Sequence, residues 1–154
     1  MIRVVLAASL TLALLAASLP AVDDARTDRT RGRLDAALER IERAATSLAT
    51  SEDPTRVAGV RARRVVTVRL PAASWTSAPI AWVAVGGYPG GPRGDLLAYR
   101  LAGAPPTTVE LDGVDLRTGG DPVVLRGDGR RTLGLELAST DGRPVVRVAL
   151  ERPR

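Results

Sequence analysis

The sequence predicts an α+β fold in which one long N-terminal helix, part membrane segment and part amphipathic, precedes a mostly antiparallel β domain (a sandwich or a curled sheet). Val4–Val22 is apolar and carries no charged residue, and helical spacing of apolar residues continues to Ala49. After Pro54, short alternating stretches separated by glycine-containing turns replace that pattern. We therefore divide the chain into a segment over 1–22, an amphipathic helix with its end over 23–53, and a β domain over 54–154.

The composition excludes several kinds of chemistry. The 154 residues include no Cys and no His, and all 22 basic residues are Arg. Thiolate nucleophiles, imidazole bases and Schiff-base lysines are therefore absent. We expect a non-enzymatic protein with no cofactor, no metal site and no evident small-molecule substrate.

The net charge is +5, and the basic excess lies in the β domain. A basic domain suits an acidic partner. Aromatic residues make up only 3% of the chain, however, and no nucleic-acid-binding motif is present. We therefore expect a membrane and protein partners, and no nucleic acid.

The apolar run that includes Val4, Leu12, Leu19 and Val22 would be about 28 Å long as a helix, which is enough to span a bilayer core. It can be an uncleaved anchor or a secretory signal peptide cleaved after Ser18, and a buried helix is a third, weaker interpretation. We favour the anchor, because the run is longer than a usual signal-peptide core and continues directly into a second helical pattern. In that case Pro20 near its end, and Asp23 just beyond it, mark the membrane boundary.

The second half of the helix has one apolar face. Its members are spaced four, three, four and three residues apart, which is helical periodicity: Leu34, Leu38, Ile41, Ala45 and Leu48. This face can pack on the chain's own β domain or against a partner helix, as in a short heptad seam. We favour the first alternative, because five positions are too few to indicate a coiled coil.

The β domain is predicted from short apolar or alternating stretches. They lie at 66–70, 80–85, 96–102, 107–111, 114–117, 122–125, 132–138 and 144–150. The run over 80–85 is apolar almost throughout and indicates a buried central strand. Turns are expected at Asp112-Gly113, at 127–129 and at Asp141-Gly142.

A few side chains are candidates for interaction. Tyr88 and Arg93 lie in the glycine-rich stretch 86–95, which is either a binding loop or a long hairpin connection, and we favour the connection. Trp75 lies in a Ser/Thr/Ala loop and is the surface candidate, whereas Trp82, in the apolar strand, is expected in the core.

A basic cluster precedes the first predicted strand and comprises Arg61, Arg63 and Arg64. It can contact lipid headgroups or an acidic partner if the linker before it lies on the membrane side. The alternative, which we favour, is a solvated strand start.

The segment Leu19-Pro20-Ala21-Val22-Asp23-Asp24 and the helix beyond it resemble type IV pilins and pseudopilins. The layout, with Arg64–Pro71 and Ser74-Trp75-Thr76, also resembles uncharacterised haloarchaeal membrane proteins of type IV pilus-associated gene clusters. These resemblances imply a β domain packed on the second half of the helix, within a surface assembly. The chain carries no leader residue before the apolar run and no acid within it, so the resemblance implies an accessory or minor component.

The orientation of the β domain follows from two opposing signals. Arginines after the apolar run outnumber the single Arg3 before it, which favours a cytoplasmic β domain. The signal-like N-terminus and the pilin-like layout favour the other side. We expect a single-pass protein of the cell membrane with an extracytoplasmic β domain.

Overall fold

A computed structural model of the chain describes residues 2–51 and 62–151. The helix α1 spans Ile2–Ser51, with Pro20 inside it. Eight strands follow: β1 Arg63–Leu70, β2 Ile80–Gly87, β3 Arg93–Leu101, β4 Thr107–Glu110, β5 Leu116–Arg117, β6 Val123–Leu125, β7 Gly129–Thr140 and β8 Arg143–Glu151. The predicted α+β fold class, a long helix before a mostly antiparallel β domain, is confirmed. The boundary near residue 54 and the linker lie outside the described residues.

The strands form two four-stranded sheets. The first has the order β1-β7-β8-β5 and the second the order β4-β3-β2-β6. Neighbouring strands are antiparallel except β5 and β8, which are parallel. β2, predicted as a central strand, lies between β3 and β6.

The β7–β8 hairpin closes where the sequence predicts a turn. Thr140 pairs with Arg143, so Asp141 and Gly142 alone connect the strands. Both have positive φ, 51° and 76°, as a type I′ turn requires. At its other end β7 is longer than predicted, because it pairs with β1 from Gly129 onward and so takes the last residue of the turn expected at 127–129.

The main core lies between the second half of α1 and the inward faces of both sheets. Leu34, Leu38, Ile41, Ala45 and Leu48 are buried in it. They share one cluster with Val83, Leu97 and Tyr99 of the second sheet, and with Leu133, Leu135, Val146 and Val148 of the first. The apolar face of the helix thus packs on the chain's own β domain.

A smaller apolar cluster lies on the other face of the second sheet and contains Trp82, Ala84, Leu96 and Ala98. The Trp82 ring stacks on Tyr88, with 5.6 Å between ring centroids and 13° between planes. Trp82 is 7% exposed, so it is buried as expected, but outside the main core. The difference arises because strand side chains alternate: Val83 and Val85 point to the main core, and Trp82 and Ala84 point away.

Candidate functional site

The first half of α1 is not covered by any other residue that the structure describes. Every residue from Ile2 to Ala25 is exposed, including Val4, Leu12, Leu19 and Val22. By length and composition this helix can cross a membrane, and none of its most apolar 18-residue window is buried. A large apolar surface exposed to water is unfavourable, and this half of the helix is compatible with a membrane anchor or a signal segment.

The β domain meets the helix at Thr30, the first fully buried residue of α1. The Thr30 hydroxyl donates to the carbonyl of Arg26 (2.9 Å) and accepts from the backbone N–H of Ala78 (2.9 Å). One turn later the Arg33 guanidinium donates to the Ser77 hydroxyl over 3.1 Å. These contacts attach the loop between β1 and β2 to the start of the buried half of the helix.

A third polar contact joins the helix to β3. The hydroxyl of Tyr99, a residue 3% exposed, interacts with the Asp35 side chain and with Thr107 of β4. Burial raises the pKa of Tyr99, the hydrogen bond with Thr107 opposes that rise, and the adjacent Asp35 side chain adds to it.

The loop over 71–79 presents Trp75 to solvent. Ser74 and Ser77 exchange two backbone hydrogen bonds (3.0 and 3.2 Å), so Trp75 and Thr76 form the tip of a tight turn. Trp75 is 83% exposed. Trp75 is therefore at the surface, as predicted. Its loop is hydrogen-bonded to Thr30 and Arg33 of the helix.

Tyr88 and Arg93 lie at the other end of β2 and do not form a free binding loop. Gly87 pairs with Arg93, so the connection is short, and the Tyr88 ring lies on Trp82. A Cβ on Gly91 would overlap the Tyr88 ring, so this glycine permits the ring's position. Arg93 donates to Asp121 (2.8 Å) and to the Gly120 carbonyl (3.3 Å). The loop is a hairpin connection, but not the long one expected.

Arg63 and Arg64 lie within β1, not before the first strand, and Arg61 is outside the described residues. Arg63 forms an ion pair with Glu151. Arg64 lines a shallow groove with Thr46, Ser47 and Thr50, close to the end of α1. Because Thr46 is about 36 Å along the helix axis from Val22, Arg64 lies far from the apolar run. Both Arg63 and Arg64 are exposed at the start of β1. The chain enters β1 from the end of the helix that is remote from the apolar run.

Sequence reasoning missed two features of the helix–sheet junction. One is Thr30, which lies four residues before Leu34 and so continues the helical spacing of the buried face. That spacing could have identified it. The other is an open groove of about 950 Å³ beside the end of β1, where arginines outnumber acids. Its charged lining residues are Arg33, Glu39, Arg40, Arg43, Arg69 and Asp128. Strand and helix meet there through tertiary packing, which no local pattern indicates.

The described ranges 2–51 and 62–151 contain no group of three or more His, Cys, Asp or Glu side chains that could hold a metal ion.

The candidate interaction residues lie in three separate places. The exposed apolar helix and the Trp75 loop belong to one end of the molecule. Tyr88 and Arg93 lie beyond the far end of β2, and Arg63 and Arg64 lie near the end of α1.

The comparisons with known proteins give a family and no function. No curated protein and no solved structure matches the chain. A family model described as "Domain of unknown function (DUF7311)" matches residues 1–151, which include the apolar helix and every strand of both sheets. The chain therefore belongs to this DUF7311 family of proteins.

Proposed function

We propose that this protein is a membrane-anchored, non-enzymatic structural or interaction protein, with an uncleaved N-terminal anchor and an extracytoplasmic β domain. The observation that carries the proposal is the division of one continuous helix. Residues 2–25 are exposed and include the apolar run Val4–Val22, and from Thr30 the same helix enters the core. A bilayer covers the first part and the β domain covers the second.

The finer proposal is an accessory or minor pilin-like component of a pilus or secretion assembly. It is supported by the layout, in which the second half of an N-terminal helix is built into a β domain. Its partners are the membrane and proteins of that assembly, and it requires no cofactor and no nucleic acid.

A second candidate is an exported soluble binding domain released by cleavage after Ser18. One observation favours it: residues 2–25 are exposed throughout, so cleavage there leaves the core cluster intact. The two candidates predict different N-termini and different partition between membrane and soluble fractions.

The deciding experiment is intact-mass analysis of the full-length protein recovered from cells, with alkaline carbonate extraction of the membrane fraction. An anchor gives a carbonate-resistant protein that retains the residues before Leu19. A soluble protein whose mass corresponds to a start at Leu19 contradicts the anchor and supports the exported domain.

Protease treatment of intact cells then tests the side of the membrane. An extracytoplasmic β domain is degraded without lysis. Protection until the membrane is broken contradicts the orientation and leaves the anchor unaffected.

The assembly itself is tested by affinity purification from detergent-solubilised membranes. Co-purification of surface-assembly proteins that is lost with a Leu38→Arg variant, whose core is disrupted, supports the finer proposal. Recovery of the protein alone contradicts it.

A further inference from the structure

We propose that Trp75 is a second membrane contact, an aromatic anchor on the β domain that inserts into the lipid headgroup region beside the transmembrane half of α1. This inference rests on the proposed membrane anchor and adds to it a surface of the β domain and its ligand, phospholipid. It starts from one unusual side chain, an indole that is 83% exposed in a chain with 3% aromatic residues.

The first step is the position of the loop along the helix. The loop over 71–79 is bonded to Thr30 and Arg33, and Thr30 is the first fully buried residue of α1. No residue from Ile2 to Ala25 is covered. The Trp75 loop is therefore at the edge of the β domain that is nearest to the apolar run.

The second step is the distance to the bilayer. Thr30 is about 12 Å along the helix axis beyond Val22, the last residue of the apolar run. The headgroup region fills about 5–8 Å of that interval on each side of a bilayer. The remaining gap is within the reach of a turn tip with a tryptophan side chain. A helix tilt of about 20° lowers one side of the domain further.

The third step is the chemistry of the turn. Tryptophan is enriched at membrane–water interfaces, because its large ring is apolar while its indole N–H remains hydrated. The two tip residues are held by the Ser74–Ser77 backbone hydrogen bonds, so little ordering entropy is lost on insertion. The adjacent helix segment 23–33 carries four arginines and three aspartates, and Arg26 and Arg31 pair with Asp23 and Asp28. Its net charge is only +1, so the indole itself, and no basic patch, is what we expect to hold the loop at the lipid surface.

The test uses the full-length protein reconstituted into phosphatidylcholine/phosphatidylglycerol vesicles that contain a headgroup-attached nitroxide lipid, which quenches nearby tryptophans. Trp82 is the only other tryptophan, and it is buried. The difference between wild type and Trp75→Phe therefore isolates Trp75 emission, without a variant that disturbs the Trp82–Tyr88 stack. We expect the nitroxide lipid to quench Trp75 at least twofold more than Trp82, and aqueous acrylamide to quench it less than a free indole.

A matched variant changes only the distance between the β domain and the bilayer surface. Insertion of seven helix-forming residues after Ala25, where the helix is uncovered, raises the domain by about 10 Å and rotates it by only about 20°. We expect this variant to float with vesicles like wild type and to lose nitroxide quenching of Trp75. Its Trp75 should instead be quenched more strongly by aqueous acrylamide than in wild type.

Each outcome decides a different claim. Flotation without nitroxide quenching of Trp75, or quenching unchanged by the seven-residue insertion, overturns the lipid contact and leaves the anchor intact. Protection from acrylamide without nitroxide quenching indicates a protein partner or a second copy and also overturns it. Failure to float with vesicles contradicts the proposed anchor itself, and the Trp75 contact with it.

Discussion

The two halves of α1 are parts of one helix with opposite surroundings. Residues 4–22 carry no charge, are apolar on every side of the helix and are wholly exposed, whereas residues from Thr30 to Leu48 are apolar on one face, and that face is buried. The first half matches a lipid environment, which surrounds a helix, and the second matches a protein core, which covers one side. The distribution of apolar residues around a helix therefore indicates which kind of partner covers it.

The largest difference between the halves is expected from leucine truncation. Leu38→Ala should lower the free energy of unfolding of the detergent-solubilised protein by about 2–5 kcal/mol, because it opens a cavity in the core. Leu14→Ala should change it by less than about 0.5 kcal/mol, because Leu14 contacts no core residue. Urea titration of the two variants provides the comparison, and equal losses would contradict the division of the helix.

The converse experiment places a charge in the exposed apolar half of the helix. Leu12→Arg should disfavour membrane insertion by about 3 kcal/mol, because arginine is costly near the centre of a membrane helix. The β-domain core should be unaffected. Vesicle flotation measures the first effect and urea titration the second, with Leu12→Ile as the control that keeps the segment apolar. Unchanged flotation of Leu12→Arg would show that the segment does not enter the bilayer.

At the junction, Thr30→Val tests the first buried turn. Valine keeps the shape of threonine but cannot accept from the Ala78 N–H, which would be left buried and unpaired. We expect a loss of about 1–3 kcal/mol in the free energy of unfolding. Thr11→Val, in the exposed half, loses only a hydrogen bond within the helix and is the matched control. Similar effects of the two substitutions would argue against a structural role for the junction.

The smallest expected effect is at Gly32, an exposed position between the buried residues Thr30 and Leu34. It lies in the helix interior with open space around its Cα. Gly32→Ala should therefore stabilise the protein by about 0.5–1 kcal/mol, since alanine loses less backbone entropy on folding. Gly142→Ala should do the opposite, because its φ of 76° is strained for alanine. Thermal unfolding of both variants checks the signs, and destabilisation by Gly32→Ala would indicate a contact at that face.

The sequence predicts the fold well where local chemistry is decisive. The helix follows from its periodicity, and the β7–β8 hairpin follows from Asp141-Gly142, which few other dipeptides can replace in a two-residue turn. The sequence could not predict which face of the second sheet Trp82 occupies, nor how far Arg64 lies from the apolar run. Both depend on how strands pair and on the direction in which β1 runs along the helix, and these are tertiary properties. Trp75 could be assigned to the surface, but its proximity to Thr30 depends on that same direction.

The position of β8 in the first sheet has a consequence for biosynthesis. β8 lies between β7 and β5, so the last described residues to be synthesised occupy an interior position of the sheet. The helix and β1 leave the ribosome first but obtain much of their cover from strands made last. A nascent chain without β8 therefore lacks the strand that pairs with both β7 and β5. If the β domain is exported, as we propose, this late completion of the first sheet leaves time for the N-terminal segment to be recognised before the sheet is complete.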